Sequence, residues 1–209
     1  MEELKTLLPA KSDIPFYDKN KTNVYPSIEK VYTVFQNIKP ENIKVIILGQ
    51  DPYHTPDKAN GRAFAISQNN AKLAPPSLKN IVKELVIEGF YDKDNVNKTF
   101  DYTLLEWEKQ GVMMLNSALT VEEGNPMSHA KYWAPITDKI IKHIAEMSHK
   151  KVFMLWGNFA HKKAKYICKS KYNLVLKSGH PSPLSCKRFF NNNHFTTCND
   201  YLADKAIKW

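Results

Sequence analysis

Four short apolar runs punctuate the chain: Lys44 to Leu48, Val112 to Asn116, Lys151 to Trp156 and Asn173 to Lys177. None alternates apolar with polar positions, so each reads as a strand covered on both faces, the pattern of a parallel sheet. Between them, apolar residues recur at three- and four-residue spacing, which predicts helices. Ser27 to Ile38 sets Ile28, Val31, Tyr32 and Phe35 on one helical face. Ser77 to Glu88 follows Pro75-Pro76, with Ser77 as its N-cap, and stops at Gly89. Ala134 to Met147, Phe159 to Cys168 and Thr196 to Ile207 complete the helical set. Strands alternating with helices predict an α/β fold, a three-layer α/β/α sandwich around a short, mainly four-stranded parallel sheet.

In such a sheet, ligands bind beyond the carboxyl ends of the strands. The polar clusters fall there. The first strand runs into Gly49-Gln50-Asp51-Pro52-Tyr53-His54, the second ends at Asn116, and the third leads into Gly157-Asn158. The fourth is followed by Ser178-Gly179-His180-Pro181-Ser182-Pro183-Leu184-Ser185. Taken alone, Asp51 before a proline reads as an Asx-turn, and His180 as a solvated histidine in a rigid loop. Brought to one sheet edge, a carboxylate and an imidazole suit a hydrolytic site.

Composition narrows the setting. The chain of 209 residues, 43% hydrophobic, can bury a core as one domain over 1–209. The three cysteines, Cys168, Cys186 and Cys198, form no CxxC pair, which argues against a zinc ribbon or a disulfide framework and for a reducing compartment. Met1 to Ala10 carries Glu2 and Glu3 and does not read as a signal peptide. No run reaches the ~20 apolar residues of a membrane span. The net charge is +9, and from Lys139 to Arg188 Glu146 is the only acidic residue, a balance that suits a polyanion. A zinc base deaminase would need HxE…PCxxC and a P-loop kinase GxxxxGK[ST]; neither is present.

Gly49 to His54 and His180 to Ser185 resemble the two signature motifs of the family 1 uracil-DNA glycosylases. Gly61 to Phe64, Pro75-Pro76-Ser77-Leu78, Leu115-Asn116, Leu119-Thr120-Val121 and Leu155-Trp156-Gly157 are similar too, in order, from about Tyr17 to the C-terminus. The resemblance implies a DNA repair enzyme that flips uracil out of DNA and hydrolyses its N-glycosidic bond. It makes Asp51 the group that stabilises the sugar cation and orients water, and His180 the neutral donor to uracil O2. Asn116 then reads the Watson–Crick edge, Phe64 stacks on the base, Tyr53 fills the space beside C5, and Gln50 flanks the pocket. Among DNA contacts, Ser77, Ser182 and His54 match phosphate-gripping positions, Leu184 the apolar wedge, and Lys187 and Arg188 supply attraction.

It implies no metal and no cofactor. It implies single- and double-stranded uracil-containing DNA as partners, a monomer away from membranes, and acidic DNA-imitating proteins as inhibitors. The expected location is intracellular: the cytoplasm of a bacterium, or host cytoplasm or nucleus if viral. Some viral relatives combine the fold with a processivity role; the intact set of residues favours the enzyme. Two places depart from the family pattern. Asn158 stands where serine is common. The stretch after Leu184, Ser-Cys-Lys-Arg-Phe-Phe-Asn-Asn-Asn-His-Phe, lacks the usual glycines around its Phe pair and is one residue shorter.

Overall fold

The computed structural model describes residues 2–17 and 23–209. Met1 of the N-terminal segment and residues 18–22 of the single-domain range lie outside the described residues. Among the described residues six strands form: β1 Val24–Tyr25, β2 Val45–Gly49, β3 Val112–Asn116, β4 Val121–Glu122, β5 Lys151–Trp156 and β6 Asn173–Ser178. The α-helices are α1 Glu2–Lys5, α2 Pro76–Ile87, α3 Val96–Thr99, α4 Leu105–Lys109, α5 Ala130–Glu146, α6 Gly157–His161 and α7 His194–Leu202. Four strands build a parallel sheet in the order β3-β2-β5-β6, while β1 and β4 pair antiparallel outside it. The architecture is the predicted α/β sandwich.

Every residue of β2, β3 and β5 is buried, which is why their sequences are continuously apolar. Alternate side chains feed two cores. Val45, Ile47, Val112, Met114, Val152 and Met154 join the cluster that includes Leu78, Ile81 and Leu85 of α2 and Phe195 of α7. Ile46, Leu48, Met113, Leu115, Phe153 and Leu155 join the cluster that includes Trp133, Ile140 and Ile144 of α5.

The predicted helix Ser27 to Ile38 does not form. The segment is a series of turns with one 3-10 turn at Thr33–Phe35. Its hydrogen bonds close over three residues, as in Lys30 N–H to Ser27 O at 2.9 Å and Thr33 N–H to Lys30 O at 3.0 Å. Val31, Thr33 and Val34 are β-branched and lose rotamer freedom in an α-helix. Of the predicted face, Val31 and Phe35 are buried and Ile28 and Tyr32 half-buried, while Val34 and Ile38 are buried beside them. The other four predicted helices form with different limits. Helix α2 begins at Pro76 with Pro75 as its N-cap residue, so Ser77 lies inside the first turn and is not the cap. Helix α5 starts a turn before Pro135, because Trp133 is fully buried and its indole N–H donates to Thr120 Oγ1 at 2.7 Å. The stretch Phe159 to Cys168 divides into α6 and a 3-10 turn at Lys162–Tyr166.

Helix α7 begins at His194, and its cap comes from another element. Glu88, just past α2, accepts the Thr196 N–H at 2.7 Å and the Thr196 hydroxyl at 2.8 Å. The helix ends at Leu202 rather than Ile207, where Asn199 binds both backbone groups of Ile207, at 2.9 Å each. One turn further into α2 than that cap, fully buried Glu84 accepts the N–H groups of Asn191 and Asn192 at 2.9 and 2.8 Å. Asn191 and Asn193 take φ of 59° and 53°, a left-handed conformation that asparagine tolerates. This lets the segment after Phe190 turn tightly without glycine.

A buried ion pair ties the segment after β2 to α4. Arg62 donates to both oxygens of Glu108, through Nε to Oε2 and through Nη2 to Oε1 at 2.9 Å, and Asn37 adds a third bond at 2.5 Å. Glu108 is 2% exposed. Glu108→Ala would strand the arginine charge, and breaking such a pair costs about 3–5 kcal/mol. Urea unfolding should show a loss of this size; a change under about 1 kcal/mol would mean that Arg62 finds water instead.

Candidate active site at the strand ends

The last residue of β2, Gly49, pairs with the last residue of β3, Asn116. A Cβ at position 49 would stand 2.2 Å from Asn116 Oδ1, so the missing side chain gives the amide its place. Asn116 is 5% exposed, and its amide makes no hydrogen bond with another described residue. An amide that opens on the cleft with no protein partner is free to bond a ligand there.

Past Gly49 the chain turns at Pro52 and lays Gln50, Asp51, Tyr53 and His54 around a cleft of about 200 Å³. Phe64, Ser77, Asn116 and His180 close it. The structure therefore brings eight of the sequence-predicted residues to one cavity. Tyr53 donates its hydroxyl to Phe64 O at 2.8 Å. That bond holds Phe64 at φ 62°, unusual for a side-chain-bearing residue, with its ring 5.8 Å from the His180 ring.

His180 follows β6 in a loop tied on several sides. Gly179 N–H donates to Arg188 O at 2.9 Å, Ser185 Oγ to His180 O at 2.8 Å, and Asn80 of α2 to Pro181 O at 2.6 Å. Gly157, at φ +87°, packs so closely that a Cβ there would lie 2.8 Å from His180 Cβ. Ser182 N–H donates to His180 Nδ1 at 3.0 Å. An Nδ1 that accepts leaves the ring proton on Nε2. Burial pushes the His180 pKa below the usual histidine value, so the ring is neutral near pH 7. Its Nε2–H has no protein partner among the described residues.

Asp51 is the opposite case. Its Oδ2 accepts the Met127 N–H at 2.7 Å. Burial raises its pKa, while the Met127 N–H and the nearby His54 pull it back down. The cleft thus holds a half-buried carboxylate and a neutral imidazole donor, with an open amide between the strand ends.

The remaining candidates lie outside the cleft. Asn158 is exposed and borders an adjoining recess of about 100 Å³ that also touches Gln50 and His180. Ser182 is half-buried, its hydroxyl 3.2 Å from that of Ser185. Lys187 and Arg188 are exposed on a 3-10 turn. Leu184 is 98% exposed at the loop tip. Phe189 is fully buried against Trp156, and Phe190 lies under the Lys83 ammonium at 4.7 Å. Leu184 is therefore the apolar side chain of this loop that faces solvent. Among the described residues, no group of three His, Cys, Asp or Glu side chains can hold a metal ion.

Sequence reasoning missed the support from the β4–α5 segment. Met127, at φ 68°, presents its N–H to Asp51, and Pro126 and Arg62 line the cleft. The segment is anchored by buried His129, which stacks on Phe16 with ring centroids 3.5 Å apart. Thr120 Oγ1, having accepted from Trp133, donates to His129 Nδ1 at 2.8 Å. A backbone donor such as Met127 N–H leaves no sequence signal; the four-residue spacing of His129 and Trp133 was the one available hint.

The chain matches the family model described as "Uracil DNA glycosylase superfamily" over residues 35–203. It is 46% identical to a uracil-DNA glycosylase of Haemophilus influenzae, covering 88% of this chain and 82% of that one. A uracil-DNA glycosylase of Idiomarina loihiensis is 40% identical over 98% of both chains. Among solved structures, a mimivirus UNG variant in complex with UGI superimposes with a TM-score of 0.81 at 27% identity, covering 90% of this chain and 77% of that one.

The tautomer is directly measurable. Nitrogen-15 NMR of the imidazoles should show His180 protonated at Nε2 and titrating below the ordinary value of about 6.5. A His180 that carries its proton on Nδ1, or titrates at or above that value, would overturn the assignment.

Proposed function

The chain belongs to the uracil DNA glycosylase superfamily, and on that premise we propose how its cleft works on DNA. The protein is a DNA repair glycosylase: it hydrolyses the N-glycosidic bond of uracil in DNA, leaving an abasic site and free uracil. The observation that carries the residue-level reading is the pairing, in one cleft, of a half-buried carboxylate with a histidine whose free Nε2 bears a proton.

As the bond between the sugar and uracil N1 lengthens, positive charge develops on the deoxyribose and negative charge on the base. Asp51 faces the first charge and orients the water that adds to the sugar carbon. His180 Nε2–H donates to uracil O2 and stabilises the second. A neutral donor suffices, because the leaving group is a delocalised anion. The Asn116 amide offers an N–H pair to O4 and a carbonyl to N3–H; cytosine presents the reverse pattern. Phe64 stacks on the base. Tyr53, held by its bond to Phe64 O, occupies the space beside C5 where a thymine methyl would clash, and Gln50 closes that side.

The base must leave its stack to reach this cleft, which costs a few kcal/mol. Leu184 enters the vacated space, while Ser77, Ser182, His54 and Asn158 hold phosphates, and Lys187 and Arg188 attract the backbone. The protein acts as a monomeric single domain over 1–209 on single- and double-stranded DNA inside the cell. No helix among the described residues is long and apolar enough to cross a membrane. Acidic proteins that imitate DNA compete for the same face, a reading in keeping with the mimivirus complex.

Asp51→Asn should fold and bind DNA normally but lose about 10²–10⁴ in single-turnover excision, the usual contribution of such a group. The pH dependence has a definite sign. Asp51 must be ionised, and its pKa lies above the carboxylate norm. His180 must be neutral, and its pKa lies below the histidine norm. The kcat/KM of the wild type should hold above about 6.5 and fall with pH through the window between about 4 and 6.5. A mutant within threefold of wild type, or activity that rises on acidification, would remove Asp51 from the mechanism.

Leu184→Ala should reduce kcat/KM more on double-stranded than on single-stranded DNA at matched ionic strength, since a wedge acts against stacking and pairing. Equal losses on the two substrates would show that Leu184 does not act as a wedge.

A further inference from the structure

The uracil cleft holds a single nucleotide, yet the strand that carries it continues on both sides. Helix α2 borders the cleft at its start, through Ser77. Its opposite flank faces a different feature. A groove of about 690 Å³ runs between α2, the loop that leads into Pro75-Pro76-Ser77, and α3. Asn69, Asn70 and Lys72 from the loop, Lys79 from α2, and Asn97 from α3 supply its polar walls. A neighbouring groove of about 400 Å³ shares Lys79 and Asn97 and adds Lys83 and Lys93.

Three observations point to one occupant. No acidic residue lines either groove. Lys72, Lys79, Lys83 and Lys93 are exposed, and none is ion-paired among the described residues. Cations that line adjoining grooves with no carboxylate in either lining repel one another, which a polyanion relieves. In the larger groove the amides of Asn69, Asn70 and Asn97 stand beside the lysines over a floor that includes Val82 and Tyr102, and amides with lysines are common partners of phosphate and sugar oxygens; the smaller groove is floored by Val82, Val86, Ile87 and Val96. Finally, the groove is continuous with the reading of Ser77: the loop carrying Asn69, Asn70 and Lys72 ends in that serine. From Ser77 to Ile87 the helix extends about 15 Å at 1.5 Å per residue. On duplex DNA, whose strands each rise 3.4 Å per phosphate, that spans about four nucleotides.

We propose that this Lys/Asn groove along α2 is a second DNA-binding track, which holds the strand flanking the uracil on one side and so lengthens the footprint beyond the flipped nucleotide. The proposal rests on the uracil-excision reading above and concerns affinity and substrate length, leaving the chemistry to the cleft. Contacts to phosphate and sugar carry no sequence information, so a track that holds the backbone is indifferent to sequence.

The test compares Lys79→Glu/Lys93→Glu with wild type on single-stranded oligomers carrying one uracil. One oligomer is short, with two nucleotides on either side. Two are long, extended by twelve nucleotides either 5′ or 3′ of the uracil. The expected result is a kcat/KM about tenfold lower on one of the two long substrates only, with the short substrate within twofold of wild type. The slope of log kcat/KM against log salt on that long substrate should flatten by about 1.4, the value for two lost phosphate contacts on a single strand. Lys79→Gln/Lys93→Gln should lose about half as much on a logarithmic scale, with an unchanged melting temperature. Losses equal on all three substrates, or none on either long one, would overturn the track; the latter result would leave the groove to an acidic protein. Failure of the wild type to release uracil from the short oligomer would instead overturn the excision reading.

Discussion

The site depends on two close approaches that only glycine permits. Gly49 lets the Asn116 amide cross the end of its strand, and Gly157 lets the His180 backbone close over the start of α6. In each case a methyl group would collide with a functional side chain or its carrier. The parallel register makes these approaches possible, because Gly49 lies opposite Asn116 and Trp156 opposite Ser178 at the same edge of the sheet. Two buried layers, one on each face, keep the edge rigid. The cleft is thus assembled from strand ends fixed by the core, and its loops need only complete the walls.

Those loops are held by polar groups as well as by the apolar packing of Phe189 and Phe16. Glu84 and Glu88 gather the backbone donors of the segment from Asn191 to Thr196, and Glu108 fixes Arg62 at the cleft wall. Thr120 and His129 anchor the stretch that delivers Met127 N–H to Asp51. A buried carboxylate with a full set of donors specifies one loop conformation, since any other leaves charge unpaired. This support lets the His180 loop stay ordered at its base while its tip, Leu184, stands free in solvent.

Burial acts on the two central groups in opposite senses of charge and to one effect. It disfavours the anion of Asp51 and the cation of His180. The hydrogen bond from Met127 and the proximity of His54 keep the carboxylate usable, while the Ser182 N–H fixes the imidazole tautomer. In the proposed mechanism, charge that develops during bond cleavage then meets groups already oriented.

The sequence by itself determined the sheet. Strands buried on both faces must be continuously apolar, as β2, β3 and β5 are; all four were legible to within a residue or two, but β6, at the edge of the sheet, is only half-buried with Lys177 exposed, against the expectation that both its faces are covered. It also determined which edge carries polar clusters, and the two motifs identified the family before any coordinates. Only the tertiary structure decided the rest. The segment from Ser27 to Ile38 buries part of its apolar face but forms no α-helix, because packing against the core is satisfied by turns as well as by a helix. The limits of α5 and α7 were set by Trp133, Glu88 and Asn199, whose partners lie in other elements. Met127, His129 and Arg62 entered the site through a backbone amide, a stacked ring and an ion pair across the fold. Local pattern records what each residue buries. The partners that orient a carboxylate or end a helix are distant in sequence, and only folding brings them within hydrogen-bond range.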